Sequence, residues 1–267
     1  MLAQSAVPVV VTKAPEDAQA TMVPGMMNRM TVVLDASHGG ADAGARISEP
    51  GGNTILEKDV TLALALRLQP LLTSRSFTVV MTRSNDAADK PGAQGTAAIP
   101  MSFDDRAGVA NNARASACLL LHAAGSGHGV HLYSSELNGV AVEPPLLSWR
   151  TAQAPWVALS AQLSKLIGTT LQQAGVPRIA YRASVRPVDS LACPAVVVEL
   201  APEGENVSSI NDADYQQRVA QAIAGALEIW AKQVQPPPRL PSALGHPKTA
   251  TNGAASPHVT APIGAQP

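Results

Sequence analysis

Ala195-Val196-Val197-Val198-Glu199-Leu200 is the most strand-prone run in the chain, and Cys118-Leu119-Leu120-Leu121-His122 is its counterpart upstream. Continuous apolar runs of this length, the first rich in β-branched valine, read as strands buried on both faces. Outward from them the pattern alternates. Thr31 to Asp35 is a further short buried strand, followed by a glycine loop from His38 to Gly44. Phe77 to Thr82 and the alternating Gly129 to Ser134 are two more strands. Helical periodicity falls between them, over 57–72, 104–112, 158–174 and 215–232. The third of these is stopped by Gly175 and Pro177. Strands alternating with helices predict an α/β fold, a single domain with a mostly parallel twisted β-sheet covered by helices on both faces.

Composition agrees. The chain has 267 residues, 46% hydrophobic but only 3% aromatic, so its core is built from Ala, Val, Leu and Ile, as helix-covered sheets are. Nineteen basic against twenty acidic residues leave a formal charge of −1, without the basic excess of a nucleic-acid binder. No apolar run approaches the roughly 18–20 residues of a membrane span. Cys118 and Cys193 allow one bridge, but both flank apolar runs and are read as buried thiols, leaving the redox compartment open. Residues 1–29 read as an N-terminal extension or linker without a secretory-signal pattern. Residues 30–234 read as the folded domain, and 235–267 as a Pro-rich disordered tail.

Four polar residues stand at the ends of these elements: His38 after the first strand, Glu57 at the first helix start, His122 and Glu199 closing two apolar strands. Ligands of open α/β sheets bind outside the carboxyl ends of the strands, where three of the four project. Two imidazoles and a carboxylate form a catalytic zinc set, with a fourth position left for water. A further carboxylate, Glu199, then serves as the proton shuttle, and the three valines before it predict apolar surroundings that favour a proton there. Other readings stand beside this one. His38 can be a turn residue, and Glu57 a first-turn acid favoured by the helix dipole. His128, in a Gly-Ser-Gly-His-Gly loop, reads as solvated, and His131, alternating with Val130 and Leu132, as a strand residue rather than a ligand. His246 and His258 fall in the tail.

Taken in order, these segments resemble the zinc-dependent N-acetylmuramoyl-L-alanine amidases of bacterial cell-wall lysis. Val32 to Ala45, with His38-Gly39-Gly40-Ala41-Asp42-Ala43-Gly44, resembles the opening strand and loop that carry the family's first histidine ligand. Leu56-Glu57-Lys58-Asp59-Val60 is similar to the helix start that supplies the glutamate ligand. Thr82-Arg83 and the Arg106 to Asn111 helix resemble the family's Thr-Arg and Arg-x-x-x-Ala-Asn segments. His122 falls where the second histidine is expected, and Glu199 where the catalytic glutamate is. The resemblance covers roughly residues 30–232. Three flanks differ: Ala36-Ser37 replaces Pro-Gly, Ala123-Ala124-Gly125 replaces an Ala-Asn or Ala-Asp pair, and Leu200 to Gly204 replaces a Gly-Phe-Leu-Ser-Asn type turn.

The resemblance implies hydrolysis of the amide between N-acetylmuramic acid and L-alanine, with one Zn2+ per chain held by His38, Glu57 and His122. It further implies a peptidoglycan or muropeptide substrate, a division-associated activator and a periplasmic or extracellular site of action. Two alternatives stay open: another zinc amide hydrolase or peptidase on the same scaffold, and a non-catalytic peptidoglycan-binding regulatory module. Trp149 and Trp156, in the proline-broken stretch from Glu136, read either as a lid over the cleft or as a cap on the core edge.

Overall fold

The computed structural model describes residues 30–49, 52–86, 100–140 and 148–234, all within one compact unit. The N-terminal extension and the Pro-rich tail read from the sequence lie outside these residues. Eight strands and four helices follow in order: β1 (Thr31–Ala36), β2 (Arg46–Ser48), β3 (Thr54–Leu56), α1 (Glu57–Thr73), β4 (Thr78–Met81), α2 (Phe103–Asn112), β5 (Ala117–Ala123), β6 (Val130–Ser134), α3 (Val157–Gln173), β7 (Arg178–Arg182), β8 (Ala195–Leu200) and α4 (Ala213–Gln233).

Six strands form one sheet in the order β4-β1-β5-β8-β6-β7. Every neighbouring pair is parallel except β6 and β8. The apolar strands predicted from sequence are therefore the centre of the sheet. β8 pairs with β5 along its whole length, Ala195 opposite Cys118 and Glu199 opposite His122. Alternation sorts their side chains into two layers. Val32, Leu34, Leu119, Leu121, Val196 and Val198 face α1, α3 and α4 in the larger core. Val33, Leu120 and Val197 face α2 and the turn at Val188–Ser190 in a thinner one. Trp230 and Tyr215 are fully buried and still satisfied: the indole N–H donates to the Ser116 carbonyl and the phenol to the Ala201 carbonyl.

Two elements go beyond the sequence reading. β7 is an edge strand with every residue exposed, so Arg178-Ile179-Ala180-Tyr181-Arg182 carries no buried-strand pattern. β2 and β3 are three residues each, too short for periodicity to register.

The cysteines are a correction. Cys118 and Cys193 are not free thiols but a disulfide, their Cα atoms 6.3 Å apart. Cys118 lies on β5 and Cys193 just before β8, and the Cys118 N–H donates to the Pro194 carbonyl, so strand pairing brings the two together. An apolar flank is the same for a thiol and a bridge, which is why local sequence misread them. The bridge ties residues 75 positions apart inside the thinner core. A double Cys118→Ala, Cys193→Ala variant is expected to lose about 2–4 kcal/mol in urea unfolding, and reductant should cost the unaltered chain a similar amount. An unchanged midpoint in both would contradict a stabilising bridge.

Candidate metal centre

The carboxyl ends of β1, β5 and β8 lie side by side, and the polar residues predicted from sequence gather there. α1 begins at Glu57 without a side-chain cap. Its first N–H groups are instead taken by the glycine loop: Glu57 N–H donates to the Ala45 carbonyl at 2.9 Å and Lys58 N–H to the Ala43 carbonyl at 3.3 Å. In return the Ala45 N–H donates to Glu57 Oε2 at 2.8 Å. This exchange turns the Glu57 side chain inward, where it is 6% exposed. The Ala123 N–H donates to Glu57 Oε1 at 3.2 Å.

His38 Nε2 lies 3.2 Å from Glu57 Oε2, and His122 Nδ1 lies 2.8 Å from Glu57 Oε1. The two imidazoles meet edge to face with ring centres 5.7 Å apart. One donor atom from each of His38, Glu57 and His122 falls within 4.8 Å of the others, the one such group of three among the described residues. Each imidazole is held at its outer nitrogen. Asp42 Oδ2 is 2.9 Å from His38 Nδ1, and Ser37 Oγ is 2.9 Å from His122 Nε2. Outer contacts of this kind fix ring orientation and tautomer for metal binding. Ser37, a departure from the family pattern, thus has a partner in the site.

Charge is matched within the cluster. Burial opposes ionisation of Glu57, but hydrogen bonds from His122, His38 and the Ala45 N–H outweigh it and hold the carboxyl well below the usual carboxylate range. The Glu57 hydrogen bond, against the opposing effect of burial, raises His38 above the usual imidazole value, with Asp42 adding to it. An anion between two imidazoles suits a divalent cation in the same place.

Two buried arginines build the wall behind. His38 sits at φ 64, in the left-handed region that non-glycine residues seldom adopt. Its carbonyl accepts from Arg106 Nη2 at 2.8 Å, while Arg106 Nη1 pairs with Asp35 at 2.6 Å. Arg83 donates to the carbonyls of Ala36, Ser37 and Lys58. Gly44, also in the left-handed region at φ 63, lines the cradle. A Cβ there would lie 2.6 Å from His38 Cδ2 and 2.7 Å from Glu57 Oε2.

Glu199 occupies the register position beside His122, on the same face of the sheet. Its surroundings are not the apolar ones its valines suggested. Oε1 accepts from His131 Nδ1 at 2.8 Å and from the Tyr133 hydroxyl at 3.1 Å. His131 lies outside the three-donor group, yet it touches Glu199 beside it. Its signal was only alternation on a strand, because nothing local reveals which strand lies opposite. His128 is exposed and lies apart from the group. Trp149 is exposed, and its turn packs against Val188–Ser190. Part of the stretch before it, 141–147, lies outside the described residues.

A family profile for N-acetylmuramoyl-L-alanine amidases matches residues 32–229. The chain belongs to that family. It is 33% identical over 204 residues to a probable cell wall amidase LytH of Staphylococcus epidermidis, covering 75% of this chain and 58% of the relative. It thus spans less than two thirds of that relative's length. It is 25% identical over 258 residues to the N-acetylmuramoyl-L-alanine amidase Rv3717 of Mycobacterium tuberculosis, covering 85% of this chain and 97% of the relative. Among solved structures, the catalytic domain of CwlV from Bacillus (Paenibacillus) polymyxa superposes with a TM-score of 0.57 at 23% identity, over 76% of this chain and 98% of that one.

Gly44→Ala is expected to weaken zinc binding at least about tenfold in calorimetric titration, because the added methyl displaces two donors from their orientation. Unchanged affinity would contradict the cradle described here.

Proposed function

We propose that this chain is a zinc-dependent amidase that cleaves the amide between N-acetylmuramic acid and the L-alanine of peptidoglycan stem peptides. The observation that carries the reading is the convergence of His38, Glu57 and His122 at the sheet's carboxyl edge, in a chain of the amidase family, with Glu199 in register beside His122. The donor set fits Zn2+: two imidazoles and one carboxylate, oriented from behind by Asp42, Ser37 and the Ala45 and Ala123 N–H groups. His38 Nε2, His122 Nδ1 and a Glu57 oxygen would hold the ion. The chemistry a bound zinc supplies is Lewis-acid activation of water and of the substrate carbonyl.

The chain's own residues supply the rest. Glu199 takes a proton from the attacking water and returns it to the departing alanine nitrogen, so one carboxylate acts as base and then acid. Glu57 is kept in its anionic, ligating form by the Ala45 and Ala123 N–H groups, which donate to its two oxygens from behind. Arg106 and Arg83 hold the His38 loop rigid through its carbonyls, so orientation is settled before substrate arrives.

A periplasmic or extracellular site of action follows from the substrate, and the Cys118–Cys193 bridge supports it, since disulfides persist in oxidising compartments. No helix among the described residues is long and apolar enough to cross a membrane. The family likeness adds an activator protein to the expected partners.

The test is digestion of a purified muropeptide by the full chain, read by mass, with and without chelator. The expected result is chelator-sensitive release of the intact stem peptide, with Glu199→Gln keeping its zinc and losing at least about 100-fold in turnover. Cleavage of free peptides alone would make this a different zinc hydrolase on the same scaffold. Binding to cell walls without any release would make it a regulatory module.

A further inference from the structure

β6 runs antiparallel to β8, and that orientation lays His131 directly opposite Glu199. Side chains alternate along a strand, so Tyr133, two residues on, shares the Glu199 face. Both residues reach the same oxygen: His131 Nδ1 is 2.8 Å and the Tyr133 hydroxyl 3.1 Å from Glu199 Oε1. A carboxylate can only accept, so Nδ1 carries the imidazole proton. Among the described residues, Oε2 makes no hydrogen bond.

The two donors are themselves braced. Gly127 closes over the far edge of the His131 ring, where a Cβ would lie 2.3 Å from Cε1 and 2.6 Å from Nε2. From the outer strand β7, Tyr181 stacks on Tyr133 with ring centres 5.4 Å apart and planes 24° apart. The same ring meets His131 edge-on at 6.4 Å.

We propose that His131 and Tyr133 are positioning residues that lock Glu199 by Oε1 and leave Oε2 as the oxygen that exchanges the proton. This rests on the reading of Glu199 as the proton shuttle. A carboxyl group held by a single contact turns about its last torsion and offers either oxygen. Two donors converging on one oxygen fix the plane, so the working oxygen faces the reaction in every turnover. Burial, with the Glu199 charge beside it, pushes the Tyr133 phenol up to about 12, so it remains a donor across the neutral range.

The experiment compares His131→Ala, His131→Asn, Tyr133→Phe and Glu199→Gln in the full chain, with zinc content and thermal unfolding checked for each. Turnover and KM for a muropeptide are measured separately. His131→Ala and Tyr133→Phe are expected to lower kcat about 10- to 100-fold, the worth of a hydrogen bond to a charged group. KM should stay within about twofold, because substrate binding is not what they support. His131→Asn, whose side-chain N–H can stand where Nδ1–H stood, should recover most of the loss. In the Glu199→Gln background, adding His131→Ala should leave the residual rate unchanged. Wild-type kcat in both His131→Ala and Tyr133→Phe would overturn the proposal, as would an equal loss from His131→Ala in the Glu199→Gln background. If His131→Ala fails to fold, Tyr133→Phe decides alone, since it keeps the ring and its stacking. Wild-type turnover by Glu199→Gln would be a separate result: it removes the shuttle reading itself and this inference with it.

Discussion

A carboxylate buried at the first residue of a helix must be given its hydrogen bonds, and the Glu57 side chain receives four of them. Two come from the imidazoles of His38 and His122, and two from the N–H groups of Ala45 and Ala123. These partners belong to the glycine loop after β1 and to the end of β5. Satisfying one anion therefore pins three separate pieces of chain to one another. An unpaired carboxylate there would cost several kcal/mol, so the loop, the helix start and the strand end are arranged together or not at all.

The same constraint explains the unusual backbone around it. His38 accepts a left-handed conformation because Arg106 grips its carbonyl and Asp42 its ring, and Gly44 leaves room for the His38 ring and the Glu57 carboxylate where a Cβ would clash with both. Rigidity is built behind His38, in the arginine-carbonyl contacts, while the nitrogen and oxygen atoms of His38, Glu57 and His122 converge on one another. The sheet adds the fourth group by register alone: β8 beside β5 sets Glu199 next to His122, and β6 against β8 sets two donors on Glu199.

How much of this was legible in the sequence depends on how local each signal is. β5 and β8 announce themselves because a strand buried on both faces needs an unbroken apolar run, and His122 and Glu199 stand out as the polar residues at the ends of those runs. α1, α3 and α4 carry periodic apolar stripes. β7 carries no such signal, since an edge strand with both faces wet has no reason to be apolar. The pairing of the two cysteines and the contact of His131 with Glu199 lack a local signal for a different reason. Both depend on which strand lies beside which, a fact that no flank records. The polar setting of Glu199 follows from the same pairing, so three valines before it predicted the wrong surroundings.

Anomalous diffraction at the zinc edge, on crystals of the full chain loaded with one equivalent of Zn2+, decides whether His38, Glu57 and His122 form one zinc site. A single peak is expected at bonding distance from His38 Nε2, His122 Nδ1 and a Glu57 oxygen. A peak held by other residues, or none at a concentration that saturates the protein, would contradict it.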